Sequence, residues 1–282
     1  MPKIAIVTDS TAYIPKEYLD QYPIRVTPQV LVWGEQTLLD GIDIQPEEFY
    51  NRLAKDPVHP TTSQATPAAF LKIYSELLEQ DYEILSILVS AKLSGTIESA
   101  NQAKEMFPGA PIEIVDSETT AMALGFNVLT VARAAAEGAS LAECKALATR
   151  AIPHTGVMFA VDTLEFLHRG GRIGGGARFL ATALNIKPIL EIQDGRVEGV
   201  ERIRTRRKCL ARMVELIVER VGGRQPVRLA ALHANSHDDA RFLLKVAGAE
   251  LNPVETIFSE VSPVVGVHTG PGTVGLAYMA GL

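Results

Sequence analysis

The chain has 282 residues, 47% of them hydrophobic and 21% charged, with a formal net charge of −6; this is the profile of a globular protein and excludes disordered and fibrous classes. Aromatic residues make up 6%, with Trp33 the single tryptophan, and basic side chains cluster only in Arg202-Ile203-Arg204-Thr205-Arg206-Arg207-Lys208, so the stacking platform and charge footprint of a nucleic-acid binder are missing. The length supplies the core of two ordinary domains.

Lys3–Thr8 reads as a first strand, entered directly from Met1-Pro2 with no room for a signal peptide, and it ends in Thr8-Asp9-Ser10-Thr11. Arg25–Trp33 is the second strand, followed by a helix from Glu47. Thr61-Thr62-Ser63-Gln64 precedes a helix start at Thr66-Pro67. Glu83–Val89 runs into Ser94-Gly95-Thr96 and a helix, and Ile112–Val115 runs into Asp116-Ser117 and a helix from Thr120. The longest apolar stretch, Ala121 to Ala132, is interrupted by Asn127 and is too short to span a bilayer. Ser140 and Glu143 form a capping box that starts a helix at Leu141. Alternating strands and helices up to residue 152 predict an α/β domain, 1–152, with a parallel sheet flanked by helices. After a boundary near Pro153, strands are expected at Val157–Asp162, Pro188–Ile192, Arg196–Ile203, Val227–His233 and Thr256–Ser262, with an Asp194-Gly195 hairpin turn and helices near 177–184, 206–221 and 237–248. This second part, 153–282, reads as an α+β domain with a mixed or antiparallel sheet. Cys144 and Cys209 have no metal or CxxC spacing and suit buried helix faces in a reducing compartment, so the expected location is cytoplasmic.

Small hydroxyl residues between a strand and a helix form an anion site, because free backbone N–H groups and the helix dipole point the same way as the hydroxyls. Four such turns occur here, and in an open parallel sheet they converge on one crevice. The plain alternative is that each hydroxyl caps its own helix. Gly270-Pro271-Gly272-Thr273-Val274-Gly275 has the letters of a dinucleotide fingerprint, but the chain stops at Leu282 without the acidic residue that would hold a ribose. No Walker loop or GxSxG is present. His233 and His237 have the i, i+4 spacing of a metal pair, although Asn235-Ser236 argues for a turn with Ser236 capping the next helix; no metal is expected. Twin glycines at Gly170-Gly171 fix the direction of Arg172, a fork suited to phosphate or carboxylate. His268, beside the glycine-rich turn, faces a crevice or serves structure. Ser94 with His268 is also the pair a stand-alone acyl hydrolase or transferase would need, and a sensor or carrier of another apolar acid is a third reading.

Thr8-Asp9-Ser10, Thr62-Ser63-Gln64, Ser94-Gly95-Thr96, Asp116-Ser117, Gly170-Gly171-Arg172-Ile173, Arg204-Thr205-Arg206 and His268-Thr269-Gly270-Pro271-Gly272 together resemble the DegV family from the first strand to the last turn. Ala65 departs from the proline that commonly follows the TSQ motif there. The resemblance implies one long-chain fatty acid enclosed between the two domains, in a protein similar to the fatty-acid-binding subunit of bacterial fatty acid kinase. That subunit presents the carboxylate to a separate ATP-binding kinase subunit, which makes acyl-phosphate for phospholipid synthesis. On that analogy Thr62 and Ser94 hold the carboxylate with Ser63, Thr96 and Ser117 nearby, Arg172 and His268 lie near the head group and incoming phosphate, and Arg202 and Arg204 face the kinase. No cofactor is implied, no catalysis by this chain alone, and at most transient membrane contact.

Overall fold

The computed structural model describes residues 3–179 and 186–282. The first half runs β1 (Lys3–Asp9), α1 (Lys16–Gln21), β2 (Ile24–Thr27), β3 (Val30–Trp33), β4 (Gln36–Leu39), α2 (Pro46–Leu53), β5 (Thr61–Ser63), α3 (Pro67–Leu78), β6 (Tyr82–Leu88), α4 (Thr96–Glu105), β7 (Ile112–Asp116), α5 (Ala121–Ala136) and α6 (Leu141–Ala151). The second runs β8 (Thr155–Ala160), α7 (Glu165–Arg169), β9 (Lys187–Gln193), β10 (Arg196–Ile203), α8 (Arg206–Val221), β11 (Val227–His233), α9 (His237–Leu251), β12 (Glu255–Glu260), α10 (Pro263–Thr269) and β13 (Val274–Ala280). The fold is α/β. Strands β2-β1-β6-β7 form a parallel sheet, and β10-β9-β8-β13-β11-β12 form a mixed sheet in which only β11 and β12 pair in parallel.

Local signals explain much of this. Ser140 and Glu143 complete the expected reciprocal cap of α6, and Asp194-Gly195 turns β9 into β10 with positive φ at both residues, the geometry that suits the strand twist. Thr66 accepts from the Ala69 N–H and starts α3. Ser236 occupies the N-cap of α9 but makes no side-chain cap bond.

Other elements depart from expectation for identifiable reasons. The predicted strand Arg25–Trp33 is broken at Pro28-Gln29 into β2 and β3, which lie in different sheets; proline cannot donate to a ladder. Thr61–Ser63 is a strand rather than a turn, and pairs with β3 in a small β4-β3-β5 sheet. Gly270–Gly275 leads into a strand, β13, and not into the helix a dinucleotide site requires. Strand β13 itself is buried along its whole length at the centre of the mixed sheet. The helix expected near 177–184 falls partly outside the described residues; Gly174–Phe179 is a 3-10 segment.

Helix α5 sets the relation between the halves. Eleven of its residues, from Ala121 to Ala132, are buried, and it packs against β1 on one side and β8 and β13 on the other. A helix apolar on all faces is a core helix. One apolar cluster accordingly runs from Ile6 and Leu85 through Phe126 to Leu232, Ala277 and Met279.

Candidate functional site

Parallel β1 and β6 deliver their carboxyl ends, and the segments that follow, to the same side of the sheet. After β6 the chain enters α4 through Gly95, which occupies the N-cap and leaves α4 without a side-chain cap. The hydroxyls of Ser94 and Thr96 are therefore not engaged in capping; they bond each other at 2.8 Å. A Cβ on Gly95 would take the space now filled by the side-chain amide of Gln64, so glycine lets that amide lie against this turn. Gln64 also donates to Ser99 Oγ on α4 at 3.1 Å.

Behind both segments sits Gln29, 2% exposed, a residue that no motif singles out. Its Nε2 donates to Thr96 Oγ1 at 2.8 Å, and its Oε1 accepts the Ala65 N–H at 2.9 Å. Ala65 thus uses an N–H that proline would lack. The signal available was a lone amide directly after the strand-breaking Pro28.

His268 lies in the last turn of α10, with Nε2 2.8 Å from Thr62 Oγ1. Its other nitrogen, Nδ1, faces Gly170, where there is no room for a Cβ. Burial, helped by the neighbouring Arg172 guanidinium, pushes the imidazole down to about 4, so it is neutral at physiological pH. Arg172 is exposed and is aimed by backbone carbonyls, donating to Gly170 at 2.9 Å and Leu93 at 3.3 Å.

These groups border a cavity of about 230 Å³. Thr62, Ser63, Gln64, Ser94, Arg172 and His268 line it, and apolar residues from both halves, among them Val89, Leu93, Phe159, Leu232 and Val264, form its wall. Thr96 is fully buried behind Ser94. Ser117 is not brought to this cavity: its hydroxyl donates to Leu88 O at 2.7 Å, and the residue borders a separate cleft of about 520 Å³. Arg202, on β10, and Arg204 are exposed. The next arginine, Arg206, is engaged with Asp239, Gly272 O and Asp162.

The bonds formed do not make a hydrolase pair. His268 is bonded to Thr62, and Ser94 to Thr96, whereas a serine nucleophile needs the imidazole on its own oxygen. His233 and His237 pack edge to face at 5.5 Å, each also against Phe258. Among the described residues no cluster of three or more His, Cys, Asp or Glu has metal-binding geometry, and no helix is long and apolar enough to cross a membrane. Both cysteines are free and buried, and burial pushes their thiols up.

Known proteins share this architecture. A DegV domain-containing protein of Streptomyces coelicolor is 38% identical over 281 residues, covering 97% of each chain. Protein DegV of Bacillus subtilis is 35% identical over 276 residues, covering 98% of each. Among solved structures, a DegV family protein of Thermus thermophilus described by its fatty acid binding superposes with a TM-score of 0.93 at 35% identity and 99% coverage of both chains. The Bacillus subtilis DegV structure, described as a fatty acid binding protein, gives 0.90 at 33% identity, covering 99% of this chain and 100% of that one. A family model described as "Uncharacterised protein, DegV family" matches residues 3–281, and the chain belongs to the DegV family.

Proposed function

We propose that the chain binds one long-chain fatty acid, with the carboxylate at Ser94 and Thr62 beside Ser63 and the hydrocarbon in the apolar cavity, and presents it to a separate ATP-binding kinase subunit for acyl-phosphate formation and phospholipid synthesis. The observation that carries the reading is the cavity itself, which joins a largely apolar lining to the hydroxyls of Thr62, Ser63 and Ser94. Relatives described as fatty-acid-binding support it.

Burying ~14 methylenes at ~0.8 kcal/mol each contributes about 11 kcal/mol before the cost of ordering the chain, so the carboxylate needs no ion pair to be held. Hydroxyls orient it and leave it nucleophilic, whereas a bidentate arginine would cover the oxygens that must attack phosphorus. Arg172 at the mouth, with His268 behind Thr62, suits the charge that appears when phosphate arrives. Exposed Arg202 and Arg204 suit docking to an acidic face of the kinase subunit. The protein works in the cytoplasm, with no cofactor of its own.

The test is to extract the purified protein with organic solvent, identify the released ligand by mass spectrometry, and measure unfolding with added palmitate or oleate. A long-chain acid in the extract and a raised Tm are expected. An empty extract with no stabilisation refutes binding. Acyl-phosphate should then form from ATP only when a kinase subunit is added; turnover by this chain alone refutes the carrier role.

A further inference from the structure

Gln29 determines which way the hydroxyl protons of the head-group site point. The amide has one acceptor and one donor end, and the Ala65 N–H, 2.9 Å away, can only be met by the oxygen. That fixes Nε2 toward Thr96, to whose hydroxyl it donates at 2.8 Å. Thr96 Oγ1 already accepts this proton and has one of its own to place. Ser94 Oγ lies at 2.8 Å, and Gln29 Oε1, which also accepts the Ala65 N–H, at 3.2 Å. The shorter bond, to Ser94, is the stronger. Ser94 then accepts from Thr96, and its own proton is left to point into the cavity.

We infer that Gln29 is a positioning residue for anion binding: it drives a one-way relay, Gln29 N–H to Thr96 O–H to Ser94 O–H, that presents a hydrogen-bond donor to the bound carboxylate. The inference rests on the fatty-acid reading. A hydroxyl can face a ligand with a proton or with a lone pair, and a carboxylate is acceptor-only, so an undirected serine would meet it in the wrong sense part of the time. Fixing the direction before the ligand arrives lowers the ordering cost of binding. Gln29 and Thr96 are buried at 2% and 0% exposure, so water does not compete for these bonds.

Gln29→Met is the direct test. It removes the amide donor without adding a charge beside the buried Asp9 or the cavity, so nothing fixes the Thr96 proton and Ser94 meets the cavity with its proton or its lone pair. Binding of oleate should weaken about fivefold or more. Binding of oleyl alcohol, whose hydroxyl can accept from Ser94 or donate to it, should change by less than about threefold; equal losses for both ligands would mean damage to the cavity and overturn the relay. Thr96→Val, which is nearly isosteric and adds no charge, supplies an independent arm. It should weaken oleate binding about fivefold in the wild-type background and have no further effect in Ser94→Ala. Additive effects in that cycle, or unchanged oleate affinity in both single variants, overturn the proposal while leaving the fatty-acid reading intact. Failure of the wild-type protein to bind oleate removes both.

Discussion

Ser94-Gly95-Thr96 follows β6 and Asp116-Ser117 follows β7, neighbouring strands of one parallel sheet, and the two turns are built from the same kinds of residue. After β7 the small side chains serve the backbone: Asp116 accepts the Glu118 N–H at 2.8 Å and the Ala91 N–H at 3.2 Å, and Ser117 donates to Leu88 O. After β6 a glycine takes the cap position, so the hydroxyls on either side are released to bond each other, with Ser94 at the cavity. A serine at the end of a strand is thus a site only where the backbone has no use for it.

The largest effect is expected from the double variant Thr62→Ala with Ser94→Ala. It should lose about 2–4 kcal/mol of fatty acid affinity, two hydrogen bonds to a charged group, with little change in Tm. Unfolding in place of lost binding would make these hydroxyls structural, like Ser117.

Acid separates two further positions, the opposite ends of α10. Burial lifts the Asp40 carboxyl to about 6, where it accepts from Ser10 and from the Val264 N–H at the start of the helix. At the other end His268 is pushed down to about 4. A raised carboxyl stabilises the fold below its unfolded pKa and loses that contribution as pH rises toward 6. A depressed imidazole contributes above about 6.5 and loses it as pH falls toward 4. The two oppose each other across that window, each by up to about 3 kcal/mol. Asp40→Asn should therefore steepen the acid loss of Tm and His268→Gln should flatten it; parallel pH profiles for the two variants and wild type would show that neither group is set by burial.

Gly95→Ala probes the β6 turn sterically. Its Cβ would meet the amide end of the exposed Gln64 side chain, which must swing away from Ser99 at a cost of about 1 kcal/mol, read mainly as weakened ligand binding. Wild-type affinity would mean the contact is slack. The smallest effect expected is that of Ser117→Ala, about 1 kcal/mol of stability with fatty acid affinity unchanged, measured by denaturant unfolding and ligand titration. Weakened binding there would bring Ser117 back into the site.

Much of this arrangement is legible from residue order. The Ser140 cap and the Asp194-Gly195 hairpin are local rules, decided within a few residues, and they appear as expected. Thr62, Ser94, Arg172 and His268 line one cavity, although they come from four separate segments. What could not be read is tertiary. Gln29 carries no motif, and its importance lies in partners 36 and 67 residues away. Strand β13 is apolar throughout, a pattern that does not distinguish a strand buried on both faces from a core helix. Ser117 has the right composition and the wrong neighbour, a carbonyl across the strand ladder that no spacing rule reveals.

Helix α5 governs how the molecule comes apart. Because its apolar faces are shared between the parallel sheet and the mixed sheet, severing the chain near Pro153 would strip α5 of β8 and β13 and leave its uncovered side in water. Neither fragment would be a finished object: the first would be sticky and the second would lack a floor. Heat should likewise melt both halves in a single calorimetric peak, and an occupant of the cavity, touching walls from each, should move that one peak as a whole.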